Sequence, residues 1–189
     1  MAGPGDPRFD DPSFSRLFED NYDAVRRYAD RRIEERGGVD DVVAETFVVA
    51  WRRRGETPDQ VLPWLYGVCR NVIANHRRSE RRRRRLWSKL ATERPALGRD
   101  PADVLASRSA MSAAFAQLPE SQREVLRLVA WEGLTGAEAA VALGCSPDQV
   151  RVRFHRARKR LAQHLAAAGH EGPSLPAGAA STTRPEKAE

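Results

Sequence analysis

Cysteine is almost absent from this chain, with two in 189 residues, Cys69 and Cys145. They lie far apart and form neither a CxxC pair nor a zinc spacing, which leaves no basis for a disulfide framework or a cysteine-built metal site. Both are expected as small core residues in a reduced, intracellular setting. Long apolar runs are missing too. None approaches the roughly 20 residues of a membrane span, so no membrane insertion is expected. The first segment, Met1 to Pro12, has neither the basic start nor the apolar centre of a signal peptide, and a cytoplasmic location is expected. The four histidines, His76, His155, His164 and His170, show no metal spacing and no nucleophile partner in sequence. There is no glycine-rich phosphate loop. No catalytic residue, metal or cofactor is expected, and the chain does not read as an enzyme. Strand alternation is nearly absent, so the fold class is all-α. No internal repeat and no coiled-coil seam is visible.

Cations are plentiful. Lys and Arg number 32 against 26 acids, for a net charge of +6, which points to an anionic partner. The most informative stretch is Gly133 to Leu165. Thr135 and Glu138 have the spacing of a capping box, and Gly144 is a left-handed helix stop. Cys145 is the turn. Ser146-Pro147-Asp148-Gln149 then starts a second helix, with a Ser cap, Pro at the first position, an early acid and Gln149 closing a second box. Two caps this close define a helix-turn-helix. At roughly 100° per residue, Val150, Phe154, Ala157 and Leu161 fall on one stripe, expected to pack on the first helix. Gln149, Val152, His155, Arg156 and Lys159 fall opposite, flanked by Arg151, Arg153, Arg158 and Arg160. This arrangement suits a recognition helix, with groups for base edges at the centre and cations for phosphates beside them. The simpler reading, a solvated basic helix in a bundle, explains the arginines but not the paired caps.

In chain order, Met1 to Pro12 is expected to be disordered. A helix carrying Phe14, Leu17, Phe18, Tyr22, Val25 and Tyr28 follows, capped by Ser13 and ending in Arg31 to Arg36 before Gly37-Gly38. A second helix runs from near Asp40 to about Arg53, buried through Val42, Val43, Phe47, Ala50 and Trp51. Its other face holds Asp40, Asp41, Ala44, Glu45 and Val48. These acids fit either a basic protein partner or the dipole of a helix N-terminus. Arg54 to Pro58 reads as a loop. A third helix extends from about Asp59 beyond Arg78 on a stripe of Val61, Trp64, Leu65, Val68 and Val72. Beside it lie Gly67, Asn71, Ala74, Asn75 and Arg78, whose polar groups suit bases or phosphates, or partners within a bundle. The arginines through Arg85 are a solvated helix end or an electrostatic arm for nucleic acid. The chain thus divides into an N-terminal segment 1–12, a helical domain 13–85, a linker 86–105, a helical domain 106–170 and a disordered tail 171–189. In the second domain Val104, Leu105, Met111, Ala114, Phe115 and Leu118 lead to a helix beginning near Pro119-Glu120, with Val125, Leu126, Leu128 and Val129 inside.

The run Asp40-Asp41-Val42-Val43-Ala44-Glu45-Thr46-Phe47, then Ala50-Trp51-Arg52, Trp64-Leu65-Tyr66-Gly67-Val68-Cys69-Arg70-Asn71 and Asn75-His76-Arg77-Arg78, resembles region 2 of bacterial RNA polymerase sigma factors. Leu118-Pro119-Glu120, Arg123-Glu124-Val125-Leu126, Gly133-Leu134-Thr135, Glu138-Ala139-Ala140, Val150-Arg151 and His155-Arg156-Ala157-Arg158 resemble region 4. The order and separation match the extracytoplasmic-function (ECF) class and cover about Phe14 to Leu165. The resemblance implies a transcription initiation factor whose partners are core RNA polymerase (β′ clamp helices and β flap) and promoter DNA, and it leaves room for an anti-sigma factor. It implies that Asp40, Asp41 and Glu45 contact core polymerase. Asn71, Asn75 and Arg78 would contact the −10 element, which the first domain recognises and melts. Gln149, Arg151, Val152, Arg153, His155, Arg156 and Lys159 would read the −35 element. The chain departs from the family pattern in three respects. Ala44 stands where Gln is common, the Arg54–Pro58 loop is short and lacks an aromatic, and Gln149 and Val152 replace a Thr and a small hydroxyl residue. Two rival functions share the two-domain helical plan: a stand-alone helix-turn-helix regulator, and a metal-dependent nucleic-acid enzyme using Asp40, Asp41 and Glu45.

Overall fold

The computed structural model describes residues 11–33, 38–90 (side chains through 83) and 110–167. Every regular element among them is helical. The chain separates into two compact units, Met1–Thr92 and Glu93–Glu189. The expectations for residues 1–10, for Glu34 to Gly37, for the linker beyond Leu90, for Val104 and Leu105, and for the C-terminal tail lie outside the described residues.

The first unit is a three-helix bundle: α1 (Pro12–Asp30), α2 (Val39–Arg52) and α3 (Val61–Leu90). α1 is capped by Asp11 rather than by Ser13. The Asp11 carboxylate accepts from the amides of Ser13 (3.0 Å) and Phe14 (3.4 Å), and Pro12 takes the first helical position, where its missing N–H costs nothing. The hydroxyl of Ser13, followed by these amides and Arg54 and partly opposed by desolvation, holds the Asp11 carboxyl below its ordinary value. The folded pKa is therefore the lower one, so the cap stabilises α1 at neutral pH and is lost as the solution is acidified through the carboxylate range.

α1 also ends earlier than its polar run suggested. Arg32 turns back onto the bundle, with its guanidinium 3.4 Å from the Tyr28 ring centroid and a 3.0 Å hydrogen bond to the Tyr28 carbonyl. Arg77 of α3 donates to the Arg32 carbonyl at 2.6 Å. Arg32 is consequently buried, an outcome its position in a charged run did not announce. Below it, Tyr28 stacks on Tyr66 with centroids 4.6 Å apart. Aromatic residues one turn apart on α1 meet aromatic residues one turn apart on α2: Phe14 on Trp51 at 4.9 Å and Phe18 on Phe47 at 4.7 Å.

α3 packs on both other helices, so its buried arc is wider than the single expected stripe. Leu65, Tyr66, Val68, Cys69, Val72 and Ile73 are buried, while Val61 and Trp64 are half-buried. The expected Arg54–Pro58 loop begins as a 3-10 turn, Arg54–Glu56, closed by Arg53 donating to Glu56. α3 runs on to Leu90, so residues 86–90, expected as the start of the linker, are helical.

The second unit contains α4 (Ala110–Ala116), α5 (Glu120–Ala130), α6 (Gly136–Leu143) and α7 (Pro147–Ala167). Val150, Ala157, Leu161 and Leu165 of α7 are buried, and Phe154 is half-buried. This face packs on α4 and α5 as well as on α6, not on α6 alone as expected. The reason is length: eight residues of α6 span about 12 Å, whereas 21 residues of α7 span about 32 Å. On α6 the buried side is Ala139, Ala140 and Ala142, with Leu143 only half-buried. Arg123 ties α4 to α5 by donating to the Ala116 carbonyl (3.0 Å) and to Glu120 (3.0 Å).

Candidate functional site

Three exposed surfaces hold the sequence-predicted residues. On α2, Asp40, Asp41, Ala44, Glu45 and Val48 all face solvent because the opposite side, Val42, Val43, Thr46, Phe47 and Ala50, is spent on the core. The acids differ in their surroundings. Asp40 lies 3.4 Å from Arg26 of α1, an exposed pair of small energetic weight. Glu45 Oε2 lies 2.7 Å from His76 Nε2 of α3. Asp41 has no ion pair among the described residues. In the sequence His76 has no metal spacing and stands in the Asn75-His76-Arg77-Arg78 run, with no sign of a partner on α2. Its role as the polar link from α2 to α3 depends on two residues 31 positions apart, which no local pattern reports.

On α3, Asn71, Ala74, Asn75 and Arg78 form one exposed strip, with Gly67 half-buried at its start. Arg78 donates to the Asn75 side-chain oxygen, which leaves the Asn75 amide hydrogens free as donors. The Glu45–His76 bond sits next to this strip. The acidic face of α2 and the polar strip of α3 are therefore adjoining parts of one bundle, joined by a side-chain hydrogen bond.

The third surface is the helix-turn-helix. The Thr135 hydroxyl accepts from the Glu138 amide (3.3 Å), and Glu138 accepts from the Thr135 amide (2.8 Å). Gly144 adopts φ +62°, a left-handed conformation that would cost an L-residue roughly 1–2 kcal/mol. The Cys145 amide donates to the Ala140 carbonyl at 3.1 Å, closing the C-cap. Ser146 and Gln149 form the second box, each bond 3.3 Å. The Gln149 oxygen accepts from the Ser146 amide, which leaves both Gln149 amide hydrogens as donors. Gln149, Arg151, Val152, His155, Arg156 and Lys159 are exposed, and Val152 at 44% exposure is apolar contact surface. Arg151 reaches back to Asp148 (3.1 Å). Arg153 differs from the others: it is half-buried and points to Cys145 Sγ at 3.8 Å. Cys145 is itself half-buried rather than a core residue, whereas Cys69 is fully buried. Arg158 lies over the Phe154 ring at 5.9 Å.

A further surface, formed by Phe115, Trp131 and Arg127, has no local signature in the sequence. Phe115 and Trp131 pack at 5.4 Å, Arg127 lies over both rings, and Trp131 remains 52% exposed. Among the described residues no group of three His, Cys, Asp or Glu side chains is placed to hold a metal ion. None of the described helices is long and apolar enough to cross a membrane.

The geometry is that of two helical modules, the second a capped helix-turn-helix. Comparison with known proteins assigns both. Residues 17–83 match the family model for sigma-70 region 2, and residues 108–161 match that for sigma-70 region 4. The chain is 30% identical over 149 residues to the ECF RNA polymerase sigma factor SigL of Mycobacterium tuberculosis, covering 77% of this chain and 84% of that one. It is 33% identical over 158 residues to SigD of the same species, covering 77% and 73%. Against BldN of Streptomyces coelicolor it is 30% identical over 159 residues, covering 81% of this chain and 60% of the relative's length. Among solved structures, CnrH in complex with the cytosolic domain of CnrY superposes with a TM-score of 0.56 at 27% identity, covering 86% and 91%. The sigma factor RpoE of Bartonella quintana, in complex with the anti-sigma factor NepR, shares the fold with a TM-score of 0.60 at 22% identity, covering 82% and 97%. The chain belongs to the ECF RNA polymerase sigma factors.

Proposed function

We propose that this chain binds core RNA polymerase and directs it to a specific class of promoters, acting through binding energy and not as an enzyme. The observation that carries this reading is the presence of both sigma-70 regions in one chain, in order, the second with the doubly capped helix-turn-helix. In this reading the helical domain 13–85 holds polymerase and recognises and melts the −10 element, and the domain 106–170 reads the −35 element. Asp40, Asp41 and Glu45 meet basic groups of the polymerase β′ clamp helices. Asn71, Asn75 and Arg78 contact the −10 strand. Gln149, Arg151, Val152, His155, Arg156 and Lys159 face the major groove at the −35 element, while Arg153, turned toward Cys145, serves mainly to set the turn. A polymerase partner implies a cytoplasmic location, and an anti-sigma factor fits the regulation of such a chain.

Run-off transcription tests the proposal. The purified chain is mixed with bacterial core polymerase on a genomic fragment library and the RNA 5′ ends are sequenced. Chain-dependent initiation at a shared two-part promoter is the expected result. No initiation, with tight promoter binding by the chain alone, would replace this reading with a stand-alone regulator.

The arginines of α7 separate by role. Arg156 projects from the centre of the exposed face, so Arg156→Ala is expected to cost about 1–3 kcal/mol on the cognate −35 sequence and to relax specificity at one base pair. Arg160 lies on the flank, so Arg160→Ala should weaken all duplexes alike and lower the salt dependence by one phosphate contact. Competition binding against single-base −35 variants distinguishes the two profiles.

A further inference from the structure

Val152 is the odd residue on the exposed face of α7. From Gln149 to Lys159 the other exposed side chains, Gln149, Arg151, His155, Arg156 and Lys159, all carry hydrogen-bonding groups, whereas Val152 carries none. It is not a stray edge of the core. At roughly 100° per residue it lies about 180° from the mean direction of Val150, Ala157, Leu161 and Leu165, the buried side of the helix. Its exposure is 44%. Helix formation does not favour it either. A branched Cβ loses rotamer freedom on a helix, and Gln, Arg or Lys would serve an exposed position better. The outermost point of the recognition helix is therefore apolar.

Such a residue discriminates between bases once this face enters a groove. In the major groove adenine, guanine and cytosine present only hydrogen-bonding groups, and thymine alone adds a methyl group. Valine laid over the first three strips water from donors and acceptors and returns no bond, which costs free energy. Laid on the thymine methyl, it withdraws apolar surface of both partners from water. Gln149, one turn earlier, adds to the same preference. Both its amide hydrogens are available as donors, and thymine O4, beside the methyl, is an acceptor.

We propose that Val152 is a specificity-determining residue that selects an A·T pair in the −35 element by touching the thymine methyl, an assignment that rests on the reading of α7 as the −35 recognition helix. Arg156 follows four residues later, about 6 Å along the helix axis. At about 3.4 Å per base step, the selected pair falls within about two base pairs of the one that Arg156 reads.

The test starts from a promoter found by run-off transcription. Each thymine of its −35 element, on either strand, is replaced singly by deoxyuridine, which keeps the pairing and O4 and lacks only the methyl. Binding of the full chain with core polymerase is then titrated at one salt concentration. One substitution is expected to weaken binding by about three- to tenfold, the worth of one methyl group withdrawn from water. Val152→Ala should bind the thymine and uracil forms of that site alike, close to the wild-type affinity for the uracil form, because both changes remove the same contact. A −35 element without thymine, or one in which every thymine tolerates uracil, would overturn the proposal. So would a uracil penalty that persists in Val152→Ala, which would give the methyl to another residue. If the chain directs no initiation, the sigma reading fails by itself. The same substitutions are then made in the duplex that the full chain selects from a random-sequence pool, where the methyl contact stands or falls on the same criteria.

Discussion

Leu128→Ala is expected to destabilise the C-terminal unit by about 2–5 kcal/mol. Leu128 is fully buried in the last turn of α5, the helix on which α7 chiefly rests together with α4 and α6. Removing its branched end withdraws apolar surface from the core and leaves a cavity that rigid neighbours fill only partly. The small size of the unit raises the stakes, since an independent domain has only 5–15 kcal/mol in total, and small ones lie at the bottom of that range. Hydrogen exchange reads the effect directly. Amides in the centre of α7 should exchange faster by about thirtyfold to several thousandfold, at 1.4 kcal/mol per factor of ten. Amides of α2 and α3, in the other compact unit, should keep their protection. Acceleration in both units alike would show that the two do not fold separately, and no acceleration would show that Leu128 does not anchor the recognition helix.

The second large effect is on function. Asp41→Lys combined with Glu45→Lys is expected to reduce chain-dependent initiation by at least about 100-fold, because two attractive contacts with a basic partner become like-charge contacts that cost several kcal/mol. The structure supplies an informative control. Glu45 is bonded to His76, so Glu45→Lys both removes an acid from the surface and breaks the α2–α3 link. His76→Ala breaks the same link and leaves the acid in place. If the acid matters for polymerase, His76→Ala keeps initiation near the wild-type level while the double reversal abolishes it. If the link matters because it orders α2 against α3, both variants fail. Core-polymerase pull-down separates the cases further, since only loss of the acids should release polymerase. Asp40→Lys should be the mildest of the single reversals at this face, because Arg26 already occupies one side of Asp40.

Much of this molecule was legible without coordinates, and the reasons are local. The helix-turn-helix reads cleanly because its determinants lie within a few residues of each other. Thr135 with Glu138, Gly144 with its positive φ, and Ser146 with Gln149 all act across one turn of chain, and each forms the bond its spacing implies. The exposed side of α7 was readable for the same reason, because a single helix with one buried stripe obeys a single period. The resemblance to sigma regions 2 and 4 rests on such local runs of residues.

What escaped the sequence depends on packing between distant segments. Arg32 sits in a charged run, but it is buried because the Tyr28 ring and carbonyl and the Arg77 guanidinium converge there. The cap of α1 is the exception, because Asp11 directly before Pro12 is itself a local helix start. α3 buries a broad arc because two helices press on it, and that number cannot be counted from one helix's own pattern. The stripe on α7 needed α4 and α5 as well as α6, for simple reasons of length. The site residues divide in the same way. Their exposure followed from the period of each helix. The sequence by itself determined the helical class, the caps and the cationic face, because each is fixed by neighbours along the chain. Only the tertiary structure decided which of those charges are already partnered, Asp40 by Arg26, Glu45 by His76 and Arg153 toward Cys145, because those pairings are set by where separate turns and helices come to lie against one another.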